Sequence, residues 1–415
     1  MTQPRMRGTI LAAIYLGLAA SWLAFALGVA PDLLQSAYHG HGLGFLNRLL
    51  ARTSRRPFEH YLGLWRSFVG AVLLGIGAHA VVVATIRARR LDRGLTALLV
   101  VITTLFLGLA VLAGPRQDYP AYLEIWDVVR HGGDPWWIAP SRGYPLNAYG
   151  PLFLVLTPLA GLNLLAPKLV FCVAYLLLLV DLAAWAGREP CLHGWWRRAW
   201  LALLVNPWFW IEIAWYGHFD ILVALACLAA VRARERSRDV GAGVALGLGL
   251  LLKFLPAALG PCLAYGPIGP PPPLWVRGDS VGLRDVPSPQ PSPARGEGVG
   301  IRWSFIFASG LVMAVGLAVA VAIWGPAALR PFTFAATRPS QLLSIFRFLR
   351  GTYSPLHGRA DVTGLDGLAP FAMALALSLV WTACWAWRCD PSTSALLGGL
   401  TVVLFYKVGF PQYQT

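Results

Sequence analysis

The stretch GLTALLVVITTLFLGLAVLAG, Gly94–Gly114, runs for 21 residues without a charged side chain. As a helix it rises about 31 Å, enough to cross the hydrocarbon core of a bilayer. Arg87, Arg89, Arg90 and Arg93 stand immediately before it, the pattern of a cytoplasmic loop. Working outward, further apolar runs fall at about 8–29, 67–87, 151–166, 168–187, 199–215, 219–232, 240–265, 303–324, 369–387 and 393–407. The fold expected is all-α, a polytopic membrane bundle of about 10–11 spans.

Composition agrees. The chain has 415 residues, 57% hydrophobic and only 13% charged, with a mean hydropathy of +0.60. A soluble chain has about a quarter of its residues charged, so lipid must cover much of this surface. The net charge of +15 does not indicate nucleic acid. The arginines sit in short clusters between apolar runs, as at Arg188, Arg197 and Arg198 or Arg232, Arg234, Arg236 and Arg238, and no basic stripe persists. Cys172, Cys227, Cys262 and Cys384 lie in apolar segments with no CxxC spacing, and read as small buried side chains. The run after Arg5 and Arg7 is longer than a signal-peptide core and reads as a retained first span.

Propagating orientation from the basic loops makes 115–150 external, with 151–166 an interfacial helix and 168–187 a true span. The runs 199–215 and 219–232 form a hairpin whose tip, Trp215–His218, faces outside. The run 240–265 carries Lys253 near its middle and Pro256 after it. An ionised lysine at mid-bilayer costs about 3 kcal/mol or more, so two short tilted helices meeting near Lys253 are expected. That makes 266–302 cytoplasmic and 325–368 external, with Lys253 facing protein, water or an anion. The organisation expected is a two-helix extension at 1–93, a membrane core at 94–265, an insertion at 266–302 and further helices at 303–415, a series that reads as incomplete at its end. The insertion, with Gly269-Pro270-Pro271-Pro272-Pro273 and PSPQPSPARGEG at Pro287–Gly298, has the composition of a flexible linker.

The loop GPRQDYPAYLEIWDVVRHGGDPWWIAPSRGYPLNAYGP, Gly114–Pro151, concentrates the chemistry. Of 19 acidic residues in the chain, four fall within 17 positions here: Asp118, Glu124, Asp127 and Asp134. Asp118 follows a span directly, and a partly solvated carboxylate makes a better base. Glu124 and Asp127, three apart, share one face of a helix from about Pro120 to Arg130; an ordinary solvated pair is the plainer reading. Trp136, Trp137, Tyr144 and Tyr149 suit either an interfacial belt or the apolar face of a sugar or prenyl chain. A second constellation, NPWFWIEIAWYGHFD at Asn206–Asp220, holds Glu212, His218 and Asp220, without the spacing of a metal site. Asp181, inside AYLLLLVDLAAW, is either functional or bonded to a neighbouring helix.

Together these pieces resemble the GT-C class of membrane glycosyltransferases that use polyprenyl-phosphate sugars. The likeness is to bacterial mannosyltransferases of the phosphatidylinositol-mannoside type and a related domain-of-unknown-function family. It rests on DYPAY at Asp118–Tyr122, the GGDPW run at Gly132–Trp136 with Tyr144-Pro145, Asn206-Pro207, GHFD at Gly217–Asp220, the glycine-rich run ending at Lys253–Pro256, RPSQ at Arg338–Gln341 and KVGFPQY at Lys407–Tyr413. The resemblance implies an inverting transfer at the outer face of a bacterial cytoplasmic membrane, from a polyprenyl-phosphate sugar to a lipid or glycan acceptor. Asp118 would be the catalytic base, and Lys253, Arg338 and His218 would neutralise the donor phosphate. Glu124, Asp134, Trp136, Tyr144 and Asp220 would contact substrate. No cofactor is implied: Pro120 breaks the acidic pair by which some relatives suggest a metal. The competing reading, a transporter or flippase for lipid-linked sugars, lacks the paired interrupted helices of repeat-built transporters. An inactive truncated homologue is the third.

Overall fold

The computed structural model describes residues 58–116, 118–137, 147–186, 200–267, 299–331, 341–342, 364–387, 389–405 and 408–409. These residues are helical almost throughout, and among them four helices are long and apolar enough to cross a membrane. A fifth span results if Pro207–Trp215 and Asp220–Glu235 count as one broken crossing. Shorter apolar helices accompany them. The expected first span at 8–29 and most of the expected external loop at 325–368 lie outside the described residues. The described residues divide into two units, Met1–Leu123 with Pro158–His218, and Glu124–Thr157 with Phe219–Thr415.

In the first unit, α1 (Phe58–Ala88), α2 (Arg93–Ala113), the start of α3 (Tyr119–Arg130), α4 (Thr157–Leu162) and α5 (Ala166–Ala186) are joined by the segment Pro207–Trp215. Asp92 caps α2 by accepting the Leu95 N–H at 2.9 Å, a contribution of about 1 kcal/mol. One stripe of α2, Leu99, Ile102, Thr103, Phe106, Leu107, Ala110 and Val111, is buried, with the three- and four-residue spacing of a helix face. Val101, Leu105 and Leu112 on its other side are exposed. Apolar chains left bare on a spanning helix are what lipid solvates. Inside, Phe106 meets Tyr175 at 5.2 Å and Trp210 edge-on at 5.4 Å. Asp181 pairs with Arg89 at 3.4 Å, so the intramembrane carboxylate is spent on a bond to the end of α1.

The second unit contains α6 (Asp220–Glu235), α7 (Asp239–Leu252), α8 (Gly260–Ala264), α9 (Trp303–Trp324), α10 (Gly364–Ala386) and α11 (Pro391–Phe405). The helix α7 packs along α6 and α9. Gly243 and Gly247, four apart, allow the close approach: a Cβ on Gly243 would stand 2.4 Å from the Phe305 carbonyl oxygen. The run 240–265 breaks at Lys253, which is extended (φ −158°, ψ 142°). A 3₁₀ turn at Leu255–Leu259 and α8 then bring the chain back. Both ends of the run are held together: Arg234 Nε donates to Leu263 O at 2.6 Å and Nη1 to Asp239 at 2.9 Å, while Arg302 Nη1 reaches Asp239 at 3.1 Å. The segment therefore enters and returns at one end of the unit, with Lys253 at the turn.

The insertion leaves from a ribbon. Strand β1 (Tyr265–Pro267) pairs antiparallel with β2 (Val299–Ile301), Pro267 opposite Val299. The edges of 266–302 are thus hydrogen-bonded, and only 268–298 lie outside the described residues.

Candidate active site

In the first unit, Asp118 lies just beyond α2. Gly114, with φ +61°, ends that helix, and Asp118 opens α3, its carbonyl accepting the Tyr122 N–H at 3.2 Å. The helix foreseen over Pro120–Arg130 is present as Tyr119–Arg130. On it Asp127 is bound by Arg130 at 2.6 Å and faces His131 at 3.6 Å; Glu124 is exposed.

The other half of the site comes from Asn206–His218. Asn206 caps its segment by accepting the Trp208 N–H at 2.9 Å, and Pro207 needs no donor at the first helical position. The chain then widens into a π turn at Trp210–Trp215, a feature that recurs at functional sites. The Tyr216 N–H reaches back to Ile211 O at 2.8 Å, and the His218 N–H to Glu212 O at 2.9 Å. Gly217 between them has φ +79°, and a Cβ there would lie 2.7 Å from the Tyr119 ring. This fold-back brings the Glu212 and His218 side chains together.

His218 Nδ1 contacts Glu212 Oε2, and His218 Nε2 lies 3.5 Å from Asp118 Oδ2. Side-chain exposure is 11% for Glu212, 6% for His218 and 51% for Asp118. Glu212 as a carboxylate has only acceptors, so it accepts a hydrogen bond from Nδ1–H and fixes the ring, leaving Nε2 turned to Asp118. The array thus runs from a buried carboxylate through an oriented imidazole to a carboxylate open to substrate. The sequence reading put His218 on the donor phosphate; the structure places it between two carboxylates, a setting suited to proton handling.

Lys168 was missed. It is 0% exposed, and its Nζ donates to Gly114 O at 2.7 Å and Trp215 O at 2.9 Å. The Tyr119 hydroxyl donates to Leu164 O at 2.7 Å and accepts the Lys168 N–H at 3.2 Å. Burial pushes the Tyr119 phenol well above its ordinary range, so it stays a neutral donor. The available signal was a cation in the first turn of a helix, where the dipole opposes it.

In the second unit, Lys253 Nζ pairs with Asp220, the first residue of α6, and stands over the Phe219 ring at 5.8 Å. Phe219 packs on Tyr149 at 4.8 Å and Phe153 at 4.7 Å. The backbone of Gly150 touches the end of α7, its N–H donating to Leu252 O at 3.1 Å; a Cβ there would lie 2.1 Å from Leu251 O. Trp136 is fully buried, bonded to Tyr149 O at 3.2 Å and edge-on to Trp324 at 5.4 Å, so its ring packs the loop. Asp134 accepts the Trp136 N–H at 2.8 Å and faces Arg330 at 3.5 Å. Trp137 beside it is exposed. Gln341 pairs with Val408 in a short parallel bridge, joining the ends of RPSQ and the start of KVGFPQY. Arg338 and Tyr144 lie outside the described residues. Among the described residues no group of three or more His, Cys, Asp or Glu could hold a metal.

Apolar helices with lipid-facing sides and a carboxylate–imidazole–carboxylate array beside their ends are the parts of a membrane-embedded enzyme. The sequence model of Glycosyltransferase family 87 matches residues 147–266, and the match supports a membrane glycosyltransferase. The matched stretch includes Lys168, Glu212, His218, Asp220 and Lys253; Asp118 precedes it. No curated protein and no solved structure matches the chain.

Proposed function

We propose that the protein transfers a hexose, mannose-like, from a polyprenyl-phosphate donor to a lipid or glycan acceptor at the outer face of a bacterial cytoplasmic membrane. The observation that carries the chemistry is the approach of His218 to Asp118 with Glu212 behind it. Asp118 takes the proton of the acceptor hydroxyl as its oxygen bonds to the anomeric carbon. The bond from that carbon to the donor phosphate breaks, and polyprenyl phosphate leaves with the electron pair. His218, oriented by Glu212 with Nε2 toward Asp118, accepts a hydrogen bond from the Asp118 carboxyl once it has gained that proton. Lys253 keeps the part of neutralising phosphate charge, with Asp220 holding it in place. Support for the donor class comes from the motif resemblance and from the need to keep a prenyl-tailed donor in the bilayer.

The test is membrane-bound sugar transfer from a labelled polyprenyl-phosphate donor. Asp118→Asn keeps the size of the side chain and should lower the rate by about 10²–10⁴-fold at unchanged protein level. Glu212→Gln offers His218 Nδ1 an N–H in place of an acceptor, favours the wrong tautomer, and should cost about 10²-fold or more. Lys253→Ala should chiefly raise KM for the donor. An Asp118→Asn protein that transfers at the wild-type rate removes Asp118 from the mechanism.

A further inference from the structure

We propose that Lys168 is the positioning residue that sets Asp118 against His218; this rests on reading that pair as the acid–base centre. Lys168 sits in the first turn of α5, where its charge opposes the dipole of its own helix. Two other segment ends compensate it. Gly114 O belongs to the C-cap of α2, four residues before Asp118, and Trp215 O closes the π turn, three residues before His218. Both are carbonyl ends of helical segments, where a cation is favoured. One ammonium thus joins the two backbone stretches that carry the reacting pair.

A second tie runs through Tyr119, the neighbour of Asp118. Its hydroxyl bonds Leu164 O and the Lys168 N–H, and the Lys168 Nζ lies 5.9 Å from the centre of its ring. Gly217, the neighbour of His218, would place a Cβ 3.1 Å from Lys168 Cγ, so the stem of the lysine also fits the fold-back. Lys168 therefore touches the backbone or the immediate neighbour of each partner without itself reaching substrate. Its Nζ is turned to two backbone carbonyls, Gly114 O and Trp215 O.

The experiment uses the full chain and reads geometry and rate separately. Asp118→Cys with His218→Cys is treated with a short bifunctional thiol reagent, and the linked peptide is quantified by mass spectrometry. The measurement is repeated with Lys168→Met and with Tyr119→Phe. In parallel, each single variant is assayed for transfer with both histidine and aspartate intact. Lys168→Met is expected to cut the crosslink yield severalfold and to lower kcat by about 10²-fold, the cost of a misplacement near 1 Å. KM for the donor should stay within about twofold, because no uniform binding is lost. Tyr119→Phe should show the same pattern more weakly, and it decides the matter if Lys168→Met does not fold. Unchanged crosslinking in folded variants overturns the brace. Crosslinking lost with kcat unchanged leaves the brace standing and overturns the acid–base reading.

Discussion

Gly217 shows how much of the site depends on a single missing carbon. Its φ of +79° lies where L side chains are strained, and the Tyr119 ring stands 2.7 Å from the position a Cβ would take. Strain alone costs about 1–2 kcal/mol, and the clash adds to it, because a buried tyrosine bonded at its hydroxyl has little room to move. Gly217→Ala should therefore give protein that still inserts, with a lower melting temperature and transfer reduced at least about tenfold. The loss should fall on kcat, since the displaced group is the imidazole. A Gly217→Ala protein with wild-type Tm and kcat would show that the fold-back tolerates a side chain. Gly150 offers a contrast in the same class: there the obstacle is the Leu251 carbonyl oxygen at 2.1 Å, so the expected damage is to the packing of the second unit.

At the scale of elements, the ribbon below the insertion makes a sharp expectation. Because Pro267 already faces Val299, the 31 residues 268–298 close a loop whose ends are held by the ribbon and by the Arg234–Asp239–Arg302 cluster. Replacing 268–298 by Asn-Gly, the residue pair suited to a two-residue hairpin turn, shortens the loop by about four doublings. That should raise stability by about 2 kcal/mol or leave it unchanged. Folded yield in detergent and transfer activity should both survive. A collapse in yield would mean that the segment packs on the helices. The break at Lys253 is the other element with a clear cause: the helix stops where the ammonium finds Asp220, and a 3₁₀ turn carrying Pro256 redirects the chain.

At the largest scale, the proposed orientation can be put to the test through the second unit. Arg302 and Asp239 meet at the start of α9, whereas Trp324 and Arg330 at its other end meet Trp136 and Asp134. With 22 residues between Trp303 and Trp324, these ends are about 33 Å apart, the thickness of the hydrocarbon layer. The proposed orientation puts the end with Arg234 and Arg302 inside. Reporter tags at 235 and within 275–295 should thus read cytoplasmic and a tag near 130 external. Finding 130 and 235 on the same side would overturn that orientation.

The sequence by itself determined the helical membrane class, because uninterrupted apolar runs have few solutions in lipid, and it pointed to Asp118, which follows a span directly. It also located the break at Lys253, since a charge and a proline cannot share a straight mid-bilayer helix cheaply. It could not show the partners of His218, because Glu212 reaches that ring only through a π turn and a glycine at positive φ, neither of which has a hydrophobic period. Trp136 looked like a sugar platform, but burial against Trp324, nearly 190 positions away, is a property of packing. Lys168 was legible only as a misplaced cation. Its partners, Gly114 and Trp215, are backbone carbonyls more than forty positions distant on either side, and a carbonyl looks the same in every sequence until the fold brings it near.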